Sequence, residues 1–186
     1  PLKAVADYKG LKMRIQSSKV LEAEMRALGA NPQVLPFSET YQALQTGVVD
    51  GTENPHSNLF TQKMHEVQKH ATVTNHGYLG YAVIANKAFW DKLPEDVRKE
   101  LDEAMVESTE YANQIAKEEN EKALESIKAS GKTEIYTPTA DETAALKAAL
   151  MPVHEEMADR IGKDLIDSIK KATAAAPKEA AKEAKA

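Results

Sequence analysis

Arg14 is the first residue whose type and setting point to chemistry. It stands in the alternating run Leu11-Lys12-Met13-Arg14-Ile15-Gln16, in a chain with only four arginines. A guanidinium grips a carboxylate through two parallel hydrogen bonds, and the pair is worth most where water is excluded. Buried without an anion, the same group is costly. On spacing alone, a structural salt bridge to an Asp or Glu explains such an arginine about twice as often as a ligand site does.

Glu53-Asn54-Pro55 is the second candidate. Asn54 offers both a donor and an acceptor to a polar ligand, and Pro55 holds it away from helical geometry. An Asx turn capping the next helix is at least as good a reading on local grounds. Phe37 precedes a helix start, where it serves either as a pocket wall or as a hydrophobic staple. Of the five histidines, His65 and His70 lie five apart, not the four that would align two ligands on one helical face. Metal binding is accordingly the weaker reading of them. His76, in Thr74-Asn75-His76-Gly77, falls between two strand candidates, where pocket loops often sit.

The search for a catalytic set comes up empty: no nucleophile elbow, phosphate loop, dinucleotide fingerprint or zinc-protease motif occurs. Acidic pairs lie beside Lys on helix faces, as helix-stabilising ion pairs do. No catalytic residue, metal ligand or cofactor is expected. Absence of cysteine removes thiol chemistry and disulfide frameworks. The net charge of −5 and the lack of a basic stripe argue against nucleic acid as a partner. No apolar run approaches the roughly 18 residues of a membrane span. The start at Pro1 fits a processed protein or an excised fragment.

These residues need elements to position them. The alternation around Arg14 predicts a strand between Gly10 and Ser17-Ser18. Val20, Leu21, Met25 and Leu28 predict a helix closed by Gly29, and Gln33-Val34-Leu35 a second strand broken by Pro36. A strand–helix–strand opening favours α/β architecture. A short helix starting at Phe37-Ser38-Glu39, with Ser38 as its cap, should stop at Gly47. A polar helix is expected from Ser57 to Val67, then strands over Ala71–Thr74 and Tyr81–Asn86. Pro94 to Ser130 reads as one helix roughly 55 Å long, with one face kept buried by apolar or small residues that include Val97, Leu101, Met105, Tyr111, Ala123 and Ile127. One compact domain cannot cover that length, so it should span two lobes or form an oligomer seam. Thr133–Tyr136 is a further strand candidate. Thr139 and Glu142 have capping-box spacing, Pro152 should divide the following helix, and a last helix is expected over Lys163 to about Thr173. The division expected is 1–79, 80–93, 94–130 and 131–173, followed by a low-complexity tail, 174–186.

The stretches Gly10–Ser18, Leu28-Gly29-Ala30 and Phe37–Pro55 together resemble the signature of TRAP-transporter solute-binding proteins, closest to the C4-dicarboxylate-binding branch. The run from Tyr41 to Pro55 is its most specific part. The resemblance covers everything before the Ala/Lys/Glu tail. It implies a periplasmic receptor, its signal peptide removed, with a periplasmic-binding-protein-like α/β lobe and a long helix bridging to a second lobe. Residues 1–79 would be the ligand-binding lobe, 80–93 the crossover, and 131–173 the completion of the same lobe. Arg14 matches the arginine that binds the substrate carboxylate. Ser17, Phe37, Asn54 and His76 match positions around the ligand, with Glu53 and Tyr41 behind them. The ligand implied is a small organic acid, a C4-dicarboxylate such as succinate, malate or fumarate, with other keto, hydroxy, sugar or aromatic acids left open. The partners implied are TRAP membrane subunits, with a dimer through the long helix also open. Family members carry a substantial N-terminal portion that has no counterpart here, so the chain is expected to be half of a receptor. An enzyme acting on small acids and a helical self-association module are the competing readings.

Overall fold

A computed structural model of the chain describes residues 1–175. The first unit is β1 (Lys12–Ile15), α1 (Lys19–Ala27) and β2 (Asn31–Val34), with β1 and β2 parallel. Ser18 starts α1 by accepting a hydrogen bond from the Leu21 amide, which satisfies one of the free N–H groups of the first turn. Gly29, at φ +81°, carries the chain out of α1 in the left-handed region that glycine adopts without a Cβ clash. β2 starts earlier than the apolar run suggests and includes Pro32. An edge strand tolerates proline because one row of its backbone groups needs no partner, and β2 is an edge in the order β2–β1–β3.

A 3₁₀ turn over Phe37–Glu39 leads into α2 (Thr40–Gln45), and then β3 (Gly51–Thr52) pairs in parallel with β1. Ser38 does not cap this helix; Pro36 and Glu39 hold the cap positions and no side chain bonds the free amides. The expected helix over 57–67 is shorter and split into α3 (His56–Thr61) and a 3₁₀ turn over Met64–Glu66, separated by Lys63 at positive φ. β4 (His70–Thr72) and β5 (Glu134–Tyr136) form a second, parallel two-stranded sheet.

Residues 81–86 are not a strand. Ile84 is 88% exposed and Tyr81 is 83% exposed, so no described chain lies alongside to pair with them. A single turn, α4 (Lys87–Trp90), leads to α5 (Glu95–Ser130). Of the apolar face of α5, only Ala123 and Ile127 are buried; Val97, Leu101, Met105, Val106 and Tyr111 are exposed. The carboxyl-terminal part of α5 packs against α3 and the neighbouring Ala43, Leu44, Val49 and Met64, and the rest carries its apolar stripe without a described partner.

Beyond β5 lies α6 (Ala140–Leu150), opened by the reciprocal Thr139–Glu142 capping box. Pro152 separates it from α7 (Pro152–Glu156), and α8 (Ala158–Ile161) and α9 (Lys163–Ala175) follow. The tail expected from 174 onward lies outside the described residues except for the last two of α9. Two apolar clusters hold the whole together. One joins Met13 and Ile15 of β1 to Met25 and Leu28 around α1, with Leu146 and Leu150 of α6 against it. The other joins Ala43, Leu44, Val49, Leu59 and Met64 to Ile127 of α5.

Candidate functional site

Strand register decides which side chains meet. Arg14 on β1 stands opposite Gln33 of β2 and Thr52 of β3. Leu35-Pro36-Phe37 and Glu53-Asn54 therefore leave their strands beside it, at the same carboxyl-terminal edge where Ser17 leaves β1. In open parallel sheets that edge forms the crevice where ligands bind.

Arg14 is 1% exposed. Its Nε and Nη2 both donate to the Leu35 carbonyl oxygen, at 3.1 and 2.8 Å. The Phe37 ring centroid lies 5.6 Å from its Cζ, within cation–π range. Among the described residues Arg14 has no salt-bridge partner. A carbonyl anchor thus takes the place of the salt bridge that spacing alone favours. Of the five N–H groups of a guanidinium, Leu35 takes one on Nε and one on Nη2, and no described residue accepts from Nη1.

Glu53 is the acidic group whose charge Arg14 feels. Burial pushes the Glu53 carboxyl up and the guanidinium pulls it part of the way back. Burial likewise lowers Arg14, with Glu53 opposing. Asn54 donates through Nδ2 to the Thr52 hydroxyl at 3.1 Å. It does not cap α3, whose cap position is Pro55; the amide of Ser57 is met instead by Asn120 Oδ1, reaching across from α5 at 3.1 Å. The Asx-turn alternative for Asn54 is therefore not what the fold uses.

His76 lies in the loop after β4, with Nδ1 2.6 Å from the Thr74 hydroxyl. Burial pushes its pKa down, which favours the neutral ring. Glu53, Asn54 and His76 border one cavity of about 530 Å³, together with Glu24, Thr52, His56 and Thr74. Arg14, Ser17, Phe37 and Tyr41 do not border it. Ser17 is exposed at the end of β1 and Tyr41 is half-buried on α2. The candidates thus fall into two neighbouring groups, Arg14 with Phe37 and Glu53 with Asn54 and His76, coupled through the Arg14–Glu53 attraction.

Three participants escape a reading of the sequence. The Leu35 carbonyl is a backbone group, and only the chain reversal at Pro36 hints at it. Thr74 was visible as a neighbour of His76 but not as its partner. Glu24 looks like an ordinary helix-surface acid, yet its Oε2 is buried without a hydrogen bond among the described residues. Burial first, and the Glu53 charge second, push its pKa up to about 7.

A parallel sheet with a buried arginine and polar loops at its carboxyl-terminal edge is the arrangement in which open α/β folds seat a ligand. The chain belongs to the bacterial extracellular solute-binding protein family 7, whose model matches residues 1–161; this is a family of binding proteins, not enzymes. It is 70% identical over 174 residues to the C4-dicarboxylate-binding periplasmic protein DctP of Rhodobacter capsulatus, covering 94% of this chain and 52% of that protein. Among solved structures, a TRAP periplasmic solute-binding protein from Shewanella oneidensis with bound succinate superposes with a TM-score of 0.88 at 42% identity, over 90% of this chain and 55% of that one. Another from Sulfurospirillum deleyianum, also with succinate, gives 0.87 at 48% identity, over 91% and 56%. The α/β lobe with its long helix is the fold of that group, and the chain spans about half the length of these relatives.

Proposed function

We propose that this chain is the arginine-bearing part of a periplasmic TRAP receptor that binds a C4-dicarboxylate such as succinate, malate or fumarate. The observation that carries the reading is the half-occupied guanidinium of Arg14. Leu35 fixes one edge of the group, Phe37 lies near it, and the free Nη1 side is left to pair with a carboxylate. Ser17, Asn54 and His76 complete the surroundings of the ligand in this reading, while Glu53 and Tyr41 support them from behind. The succinate bound by the two similar solved proteins supports the choice of substrate class.

The reaction is binding without chemistry. A ligand shifts an open–closed equilibrium only by its differential affinity for the closed state. Closure against the remaining half of the receptor removes the Arg14–carboxylate pair from water, where it is strongest, and the closed form delivers the acid to the membrane subunits. In this reading residues 80–93 cross to the other lobe and α5 bridges both, which gives the exposed stripe of Val97, Leu101, Met105 and Tyr111 its partner. A second copy of the chain on that stripe is the alternative occupant, and light scattering on a full-length receptor separates the two. Calorimetry on that receptor with succinate, malate and fumarate tests the substrate. Saturable heat with at least one of them supports the reading, and none with any of them refutes it.

A further inference from the structure

Asn120 stands at the point where α5 leaves the lobe. Between residues 95 and 119 only Arg98 and Ile115 are even half-buried. Asn120 is half-buried, and Ala123 and Ile127 are buried on the same helical face. The Asn120 side chain reaches across to the first turn of α3, where its Oδ1 accepts from the Ser57 amide at 3.1 Å. An amide N–H can only donate, so that bond fixes the carboxamide and turns Nδ2 toward His56 Nδ1, 3.4 Å away. Burial first, and Lys128 second, lower the pKa of His56, which favours the neutral ring that can accept there. One side chain of α5 thus holds two successive residues of α3.

Those residues follow directly on the loop that carries Glu53 and Asn54. Pro55 fixes its own φ, at −59°, and offers no side-chain cap to the start of α3. At the other end the loop leaves β3, and Asn54 Nδ2 donates back to the Thr52 hydroxyl. Asn54 is therefore suspended between β3 on one side and the Asn120 contact on the other. A binding group acts only when held within roughly 0.5 Å of its productive place, and hydrogen bonds from behind do the holding.

We infer that Asn120 is a positioning residue for ligand binding: it ties residues 53–57 to α5, so that the loop bearing Asn54 and the long helix move as one body. The inference rests on the binding role proposed above for Asn54. It assigns Asn120 no contact with the ligand.

Asn120→Ala in the full-length receptor tests this, by calorimetry with succinate and by hydrogen exchange without it. Affinity should fall at least about fivefold, with a thermal melt confirming that the variant is folded. Amides of Asn54, His56 and Ser57 should exchange faster in the variant, while those of residues 123–130 should not. A role confined to docking α5 predicts the reverse, faster exchange across residues 123–130 with affinity unchanged. Succinate affinity within about twofold of the unsubstituted receptor, or loss of protection shared equally by residues 123–130, would overturn the inference. An unsubstituted receptor that binds none of succinate, malate and fumarate refutes the proposed function itself, and this inference with it, before any variant is made.

Discussion

Arg14 and Leu35 are joined by two hydrogen bonds that end on one atom: Nε at 3.1 Å and Nη2 at 2.8 Å from the same carbonyl oxygen. The carbonyl belongs to the backbone just past β2, so the orientation of the guanidinium is set by the parallel pairing of β1 with β2. A planar group held by one edge presents its other edge in a fixed direction, and a carboxylate then needs little further ordering to pair with it.

Phe37 should tune this grip without making it. Its ring is 39% exposed and 5.6 Å from Arg14 Cζ. Phe37→Leu keeps an apolar wall but removes the π face, a loss of about 1 kcal/mol. Calorimetry on the full-length receptor should show dicarboxylate affinity reduced by a few-fold, with no change in stoichiometry.

In the proposed site, negative charge added at Asn54 should oppose a dianion. Asn54→Asp removes the donor to Thr52 and sets a carboxylate next to Glu53. We expect affinity for succinate to fall by at least about tenfold at neutral pH, of the order of 1.4 kcal/mol. A neutral Asn54→Ser change should cost less. Comparing the two variants by calorimetry separates charge from lost hydrogen bonding.

Glu24 gives the isolated chain a pH dependence. Its carboxyl is raised from 4.5 to about 7 by burial and by Glu53, so the folded state holds this proton more tightly than the unfolded state. That contribution is fully present below about 4.5 and is lost as pH rises through about 7. Glu24→Gln should therefore be near neutral at pH 4 and stabilising at pH 8, by on the order of 1 kcal/mol once solvent screening is allowed for. Urea melts at the two pH values measure the difference.

Ile127 fastens α5 to the lobe. It is 0% exposed within the cluster of Leu44, Val49, Leu59 and Met64. Ile127→Ala should cost about 2–5 kcal/mol in denaturant unfolding. Tyr111→Ala, on the exposed part of the same helix, should change the stability of the 186-residue chain by less than about 0.5 kcal/mol.

How much of this could be read from the sequence depended on the range of the forces involved. Local signals were legible: the alternation around Arg14, the Thr139–Glu142 capping box, the break at Pro152 and the uninterrupted run of α5 all correspond to observed elements. Ser38 failed as a cap because Phe37–Glu39 forms a 3₁₀ turn first, a choice that tertiary packing makes. The strand expected over 81–86 has the right residue types but no neighbour, and a strand without a ladder is only an extended chain. The same limit hid the parts of the site. Arg14 stood out by type, whereas Leu35 and Glu24 acquire their roles from register and burial, which residue identity does not encode. The expectation that Arg14, Ser17, Phe37, Asn54 and His76 form one ligand set comes from the resemblance of the Phe37–Pro55 stretch, not from spacing.

The central claim concerns the free edge of Arg14, and Arg14→Lys tests it most directly. Lysine keeps the charge but cannot hold Leu35 and a carboxylate through one planar fork. Calorimetric titration of the full-length receptor with succinate should show a loss of at least about thirtyfold in affinity, on the order of 2 kcal/mol, while a thermal melt confirms that the variant is folded. A folded Arg14→Lys receptor that binds succinate within about threefold of the original would contradict the account.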